Sequence, residues 1–187
     1  MLKVNTCYGR VDSELLSRLS SIKLLAFDVD GTITDGGIYY DNKDIELKKF
    51  NVKDGFGIVA LHKEGIECAV ITGRSAHLTE RRMADLHVSH VIQGEMNKGI
   101  ALTKLCEKLN ISTDEVVCIG DDLNDMPMFR LAGVVVCPKD AHPFIKKIAD
   151  YITVTEGGKG AVRELCDLIL ISKGVLNADG GFADERY

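Results

Sequence analysis

Six short apolar runs, each four to six residues long and separated by stretches of helical periodicity, restrict what this chain can fold into. The runs lie at residues 23–28, 66–71, 88–92, 116–119, 134–137 and, more weakly, 151–154. Continuous rather than alternating apolar character marks strands buried on both faces. The helical patterns between them cover 54–63, 75–86, 98–109, 125–131 and 142–148, and a last one covers 161–172. An opening helix follows a short leader, with Leu15, Leu16 and Leu19 on one face and Asp12 or Ser13 as its cap. Strands alternating with helices give an α/β fold, a doubly wound parallel sheet covered on both sides. Residues 36–50 break the alternation: two β-like arms around Asp41, Asn42 and Lys43 predict a β-hairpin insertion, the only antiparallel element expected.

A chain of 187 residues suits one domain spanning 1–187, with a flexible Gly-rich tail from about 174. Its 28 acidic against 23 basic side chains leave a formal charge of −5, which argues against nucleic-acid binding. No run of about 18 apolar residues is available to span a membrane, and the N-terminus lacks the basic-then-apolar pattern of a signal peptide. A cytoplasmic protein is the expectation. The six cysteines are widely spaced, without a C-x-x-C pair, and read as reduced, mostly buried apolar residues. The five histidines have no partners at ligand spacing.

In an open parallel sheet, ligands bind beyond the carboxyl ends of the strands. The first strand runs into Asp28-Val29-Asp30-Gly31-Thr32, the second into Thr72-Gly73-Arg74, and the fourth into Gly120-Asp121-Asp122-Leu123-Asn124-Asp125; Lys98 opens the helix beyond the third. Each piece alone has a bland reading as a cap, a turn or a solvated lysine. Together they bring several carboxylates, a hydroxyl and an ammonium to one edge. Clustered carboxylates repel one another unless a hard cation joins them, and oxygen ligands select Mg²⁺ over zinc. That assembly suits a transferring phosphoryl group. The G-x-x-x-x-G-K-[ST] phosphate loop is absent from the sequence.

At these residues the chain resembles the haloacid dehalogenase superfamily, whose four motifs match Asp28 to Thr32, Thr72, Lys98, and Gly120-Asp121-Asp122 with Asp125. The resemblance implies a Rossmann-like hydrolase in which Asp28 is the nucleophile and Asp30 the general acid and base. Asp28, Asp121 and the backbone carbonyl of Asp30 would hold Mg²⁺, with Thr72 and Lys98 on the phosphoryl oxygens. Asp122 and Asp125 are either outer ligands or supports. No cap domain fits between the motifs. The closer resemblance, along the whole chain, is to the capless, tetrameric family of 3-deoxy-D-manno-octulosonate 8-phosphate phosphatases, which make a sugar acid for lipopolysaccharide. It implies substrate contacts from Asn51, Val52, Lys53, Asp54 and Gly55, and from Arg74 and Arg82 beside Asp30 and Lys98. Arg82 has a second reading, as a solvated helix residue paired with Glu80 or Asp85. Val59 departs from relatives with an arginine one turn into the helix after 51–55, which leaves room for a nonulosonate 9-phosphate. From another class, a phospho-Asp receiver module also combines Asp, Thr and Lys, but it lacks an acid/base at the position of Asp30. Tyr39, Tyr40 and Phe50 are placed for a lid or an oligomer contact, and a homotetramer is expected.

Overall fold

The computed structural model describes residues 2–43 and 45–184. It opens with an antiparallel hairpin, β1 (Lys3–Thr6) and β2 (Gly9–Asp12), where a short leader was expected. The hairpin at 36–50 is therefore not the only antiparallel element. Only Val11 of the first hairpin is fully buried, so its apolar signal is too weak to read in sequence. Helix α1 (Ser13–Ser20) follows, and Asp12 caps it by accepting from the Glu14 N–H at 2.9 Å.

The central strands are β3 (Leu24–Phe27), then, after the small hairpin β4 (Tyr39–Tyr40) and β5 (Glu46–Leu47) and helix α2 (Val52–Lys63), β6 (Glu67–Ile71). Helix α3 (His77–Asp85), β7 (His90–Ile92), α4 (Lys98–Leu109), β8 (Val116–Ile119) and α5 (Met126–Phe129) come next. The chain continues through β9 (Val134–Cys137), α6 (Pro143–Ile148), β10 (Tyr151–Ile152) and α7 (Ala161–Ser172). Asp44, within the expected hairpin, lies outside the described residues.

Six strands pair in the order β10-β9-β8-β3-β6-β7, all parallel. Successive residues of a strand point to opposite faces. On β3, Leu25 and Phe27 join a core shared with α1, α2 and α7, whereas Leu24 and Ala26 join a second core under α4, α5 and α6. Burying one such large side chain contributes about 1.5–3 kcal/mol, which is why these strands tolerate no polar residue until their ends. From β3 the chain builds outward through β6 and β7, then returns to the other side of β3 as β8. The crevice at this reversal, beyond the ends of β3 and β8, is where such sheets bind ligands.

The tail does not extend freely. Leu176 is buried and bridges to Phe182, and the Cys7 N–H donates to the Ala178 carbonyl at 2.7 Å, so residues 174–184 fold back onto the first hairpin. Two apolar anchors suffice in an otherwise Gly-rich stretch. The remainder of the expected flexible tail, 185–187, lies outside the described residues. Among the described residues, no helix is long and apolar enough to cross a membrane.

Candidate active site

Asp28 is the first residue past β3 and is 4% exposed. It lies against Lys98, the first residue of α4, whose ammonium donates to Asp28 Oδ1 at 2.6 Å and to Asp125 Oδ1 at 2.5 Å. A lysine at a helix N-terminus faces the positive end of the helix dipole, and the two carboxylates offset that. The second Asp125 oxygen accepts from the Asp121 and Asp122 N–H groups at 2.9 and 3.2 Å. Asp125 thus ties the loop after β8 to Lys98. Oxygens of Asp28, Asp121 and Asp125 all lie within 4.8 Å of one another.

This cluster carries excess negative charge. Burial, reinforced by the charges of Asp28 and Asp125, pushes the Asp121 carboxyl up to about 7, and burial with Asp28 pushes Asp125 up to about 6. Burial also raises Asp28 despite the ammonium beside it. For Lys98, burial alone would lower the pKa, but Asp28 and Asp125 raise it, so the lysine is a fixed cation. Three carboxylates facing one ammonium fit a divalent cation. Because both Asp125 oxygens already have partners, the free donors belong to Asp28 and Asp121. Asp121 is set by the Thr32 hydroxyl, which donates to its Oδ1 at 3.2 Å. Gly31 makes that approach possible: its φ is +91°, and a Cβ there would stand 2.3 Å from Asp121 Oδ2.

A cavity of about 170 Å³ opens over the cluster, lined by Asp28, Asp30, Thr72, Gly73, Arg74, Asp121, Asp122 and Asn124. The cavity therefore brings together Asp28, Asp30, Thr72, Arg74, Asp121, Asp122 and Asn124, while the buried Lys98 does not line it and is joined to it through Asp28. Asp30 pairs with Lys48, and Arg74 Nε lies 3.6 Å from Asp30 Oδ2.

The rest of the expected substrate set is placed elsewhere in the single chain. Asn51 caps α2, accepting from the Lys53 N–H at 3.0 Å, and its amide donates to the Gly158 carbonyl at 3.3 Å. Val52 and Lys53 are exposed on the first turn, outside the cavity. Asp54 is fully buried and accepts from the Arg163 N–H at 2.8 Å at the start of α7, so it holds two helices together and does not line this cavity. Gly55 gives room to Arg82, whose Nη2 would lie 2.4 Å from a Cβ at that position. Arg82 lines a separate cavity of about 190 Å³ with Lys48, Phe50, Leu78, Arg81 and Asp85. Val59 is partly buried and packs against the larger core.

Two contributors were not legible. Lys48 follows the second hairpin arm beside another lysine, and nothing in the sequence separates the buried one from the solvated one. Glu164 is buried and accepts from the Val154 and Thr155 N–H groups at 2.9 and 3.1 Å. It shapes the loop that carries Gly157 and Gly158 against residues 31–35, where the Gly158 N–H donates to the Thr32 carbonyl at 3.0 Å. A Cβ on Gly157 would stand 1.8 Å from the Gly31 carbonyl oxygen, so the Gly-rich segment supports the site loop of its own chain.

A sheet reversal flanked by these carboxylates, threonine and lysine defines a haloacid dehalogenase-like hydrolase, the family whose model matches residues 87–165. The chain is 47% identical over 176 residues to the 3-deoxy-D-manno-octulosonate 8-phosphate phosphatase of Escherichia coli K12, covering 94% of each. The chain belongs to the 3-deoxy-D-manno-octulosonate 8-phosphate phosphatase family. The crystal structure of the Yersinia pestis phosphatase is similar at a TM-score of 0.91 and 44% identity, covering 92% of this chain and 93% of that one. That of Moraxella catarrhalis, in complex with magnesium, phosphate and KDO, is similar at a TM-score of 0.85 and 42% identity, covering 87% and 94%.

Proposed function

We propose that this chain is a Mg²⁺-dependent phosphomonoester hydrolase that converts 3-deoxy-D-manno-octulosonate 8-phosphate to the free sugar acid and phosphate in lipopolysaccharide biosynthesis. The observation that carries the reading is that Asp28, held by Lys98 at 2.6 Å, lines one cavity with Asp30 and Asp121. Asp28 attacks phosphorus, and the bond to the sugar oxygen breaks as Asp30 gives that oxygen its proton. The ionised Asp30 then takes a proton from water, which attacks the aspartyl-phosphate and returns Asp28 as a free carboxylate. Lys98 has donated two of its three N–H bonds to carboxylates, which leaves the third for a phosphoryl oxygen, alongside Thr72. Mg²⁺, held by Asp28, Asp121 and the Asp30 carbonyl, supplies neutralising charge to the phosphoryl oxygens when bound. Asp122 and Asp125 support the loop that presents Asp121.

The same proposal includes one domain over 1–187, a cytoplasmic location and a homotetramer. All six cysteines are free, as a reducing compartment would keep them. Support for assembly comes from the hairpin, where Ile38, Tyr39, Tyr40, Ile45 and Leu47 are all exposed. A phosphate-release assay across octulosonate and nonulosonate phosphates tests the substrate. Asp28→Asn should abolish turnover with the fold intact by circular dichroism, and EDTA should remove activity that Mg²⁺ restores. Substantial turnover in either case would sink the mechanism.

A further inference from the structure

The cavity accounts for Asp30 but not for what holds it. Lys48, one residue past β5, has a side chain only 2% exposed; its ammonium meets Asp30 Oδ1 and lies 3.3 Å from Glu46 Oε1. Arg74 addresses the other oxygen, with Nε 3.6 Å from Asp30 Oδ2, and its Nη2 lies 3.1 Å from the same Glu46 oxygen. Glu46 thus joins two cations that grip Asp30 from opposite sides. They differ in one respect: Arg74 lines the 170 Å³ cavity and Lys48 does not. Lys48 instead lines the neighbouring cavity of about 190 Å³ with Arg82 and reaches Asp30 from that side. The next lysine, Lys49, is 65% exposed, as a hairpin lysine ordinarily is. Taking an ammonium out of water is costly and is sustained only by close anionic partners, so the burial of Lys48 is specific to its place beside Asp30 and Glu46.

We infer that Lys48 is a positioning residue for Asp30: it anchors Oδ1 and leaves Oδ2, which Arg74 approaches only to 3.6 Å, outside hydrogen-bond distance, to face the leaving oxygen of an alkyl phosphate. Since β4 and β5 deliver it, the competence of Asp30 depends on the hairpin being formed. The assignment rests on Asp30 being the acid and base. A catalytic group displaced by about 1 Å loses on the order of 100-fold in rate, within the range a general acid supplies. The loss should follow the leaving group. A sugar alkoxide must be protonated as it departs, whereas p-nitrophenolate leaves without help.

The test is kcat/KM, which reports the chain of steps up to phosphoryl transfer, for Lys48→Met, Asp30→Asn and the double variant. Lys48→Met should lose about 100-fold on octulosonate 8-phosphate and only about threefold on p-nitrophenyl phosphate. Lys48→Arg, which keeps a cation, should recover most of the difference. In the Asp30→Asn background, Lys48→Met should add nothing. Equal losses on the two substrates, or a loss repeated in that background, would assign Lys48 to the structure alone and overturn the proposal. If Asp30→Asn itself lost equally on both substrates, the acid/base reading would fall first and the proposal with it. Should Lys48→Met not fold, Lys48→Gln read by the same ratio decides.

Discussion

Arg74 shows how far a single residue can be read. In sequence it is simply the residue after Thr72-Gly73; in the structure it lines the catalytic cavity and reaches Glu46 on the hairpin. In the proposed function a guanidinium there would meet the carboxylate of a keto-acid phosphate. Arg74→Ala should lower kcat/KM for octulosonate 8-phosphate by about 1.5–3 kcal/mol relative to its effect on p-nitrophenyl phosphate, which has no distant carboxylate. Parallel kinetics on the two substrates check this, and equal losses would place Arg74 with the phosphate or with the hairpin. The strand-end residues were legible because charge is intolerable inside a buried strand, so each carboxylate marks where its strand stops. The burial of Asp54 was hidden for a related reason. It stands in a polar run beside Asn51 and Lys53, and only the packing of α2 on α7 turns it inward. Lys48 was illegible because burial of a lysine depends on partners far along the chain, here Asp30 at 18 residues' distance.

At the scale of elements, the parallel strands and their helices follow from apolar runs and period, and they appear within a few residues of the sequence boundaries. Small hairpins are harder to place. The two arms at 36–50 shorten to two residue pairs, Tyr39 with Leu47 and Tyr40 with Glu46, and the first hairpin carries almost no apolar pattern. Helix joints are harder still, and Asp54 is the joint between α2 and α7. Burial pushes its carboxyl up to about 6, although the N–H groups at the start of α7 oppose the shift. Its ordinary value is near 3.8, so between about pH 4 and 6 the folded state binds the proton more tightly than the unfolded one. Stability from this residue is therefore present at low pH and lost as pH rises through about 6, by about 3 kcal/mol. Asp54→Asn keeps an oxygen for the Arg163 N–H and does not titrate. The stability of the variant relative to the parent should rise by about that amount from pH 4 to pH 7, measured by urea unfolding with Mg²⁺ present. A pH-independent difference would mean that Asp54 is ionised throughout.

At the scale of the molecule, one chain supplies Asp28, Asp30, Thr72, Lys98 and Asp121, yet its cavity is small and open and its substrate is a charged sugar acid. Excluding water strengthens the contacts within such a site. The elements left for that task are the hairpin side chains that one chain leaves in solvent: Ile38 at 50%, Ile45 at 52% and Leu47 at 54% exposed. Two strands of two residues do not hold together alone in water. In the proposed tetramer, packing on copies of themselves would make them a core, and it would hold Glu46 and Lys48 against Arg74 and Asp30 as one chain already arranges them. Ile45→Asp places a charge in that core without touching the catalytic cluster. The expected result is smaller species by light scattering, native sheet content by circular dichroism, and a loss of octulosonate 8-phosphate turnover of at least about tenfold, the effect of about 1.4 kcal/mol on the barrier. Hydrolysis of p-nitrophenyl phosphate should fall far less, because its leaving group needs neither the carboxylate contacts nor a well-placed Asp30. A monomer with undiminished sugar-phosphate turnover would show that the hairpin of one chain positions Lys48 unaided and that no neighbour completes the site.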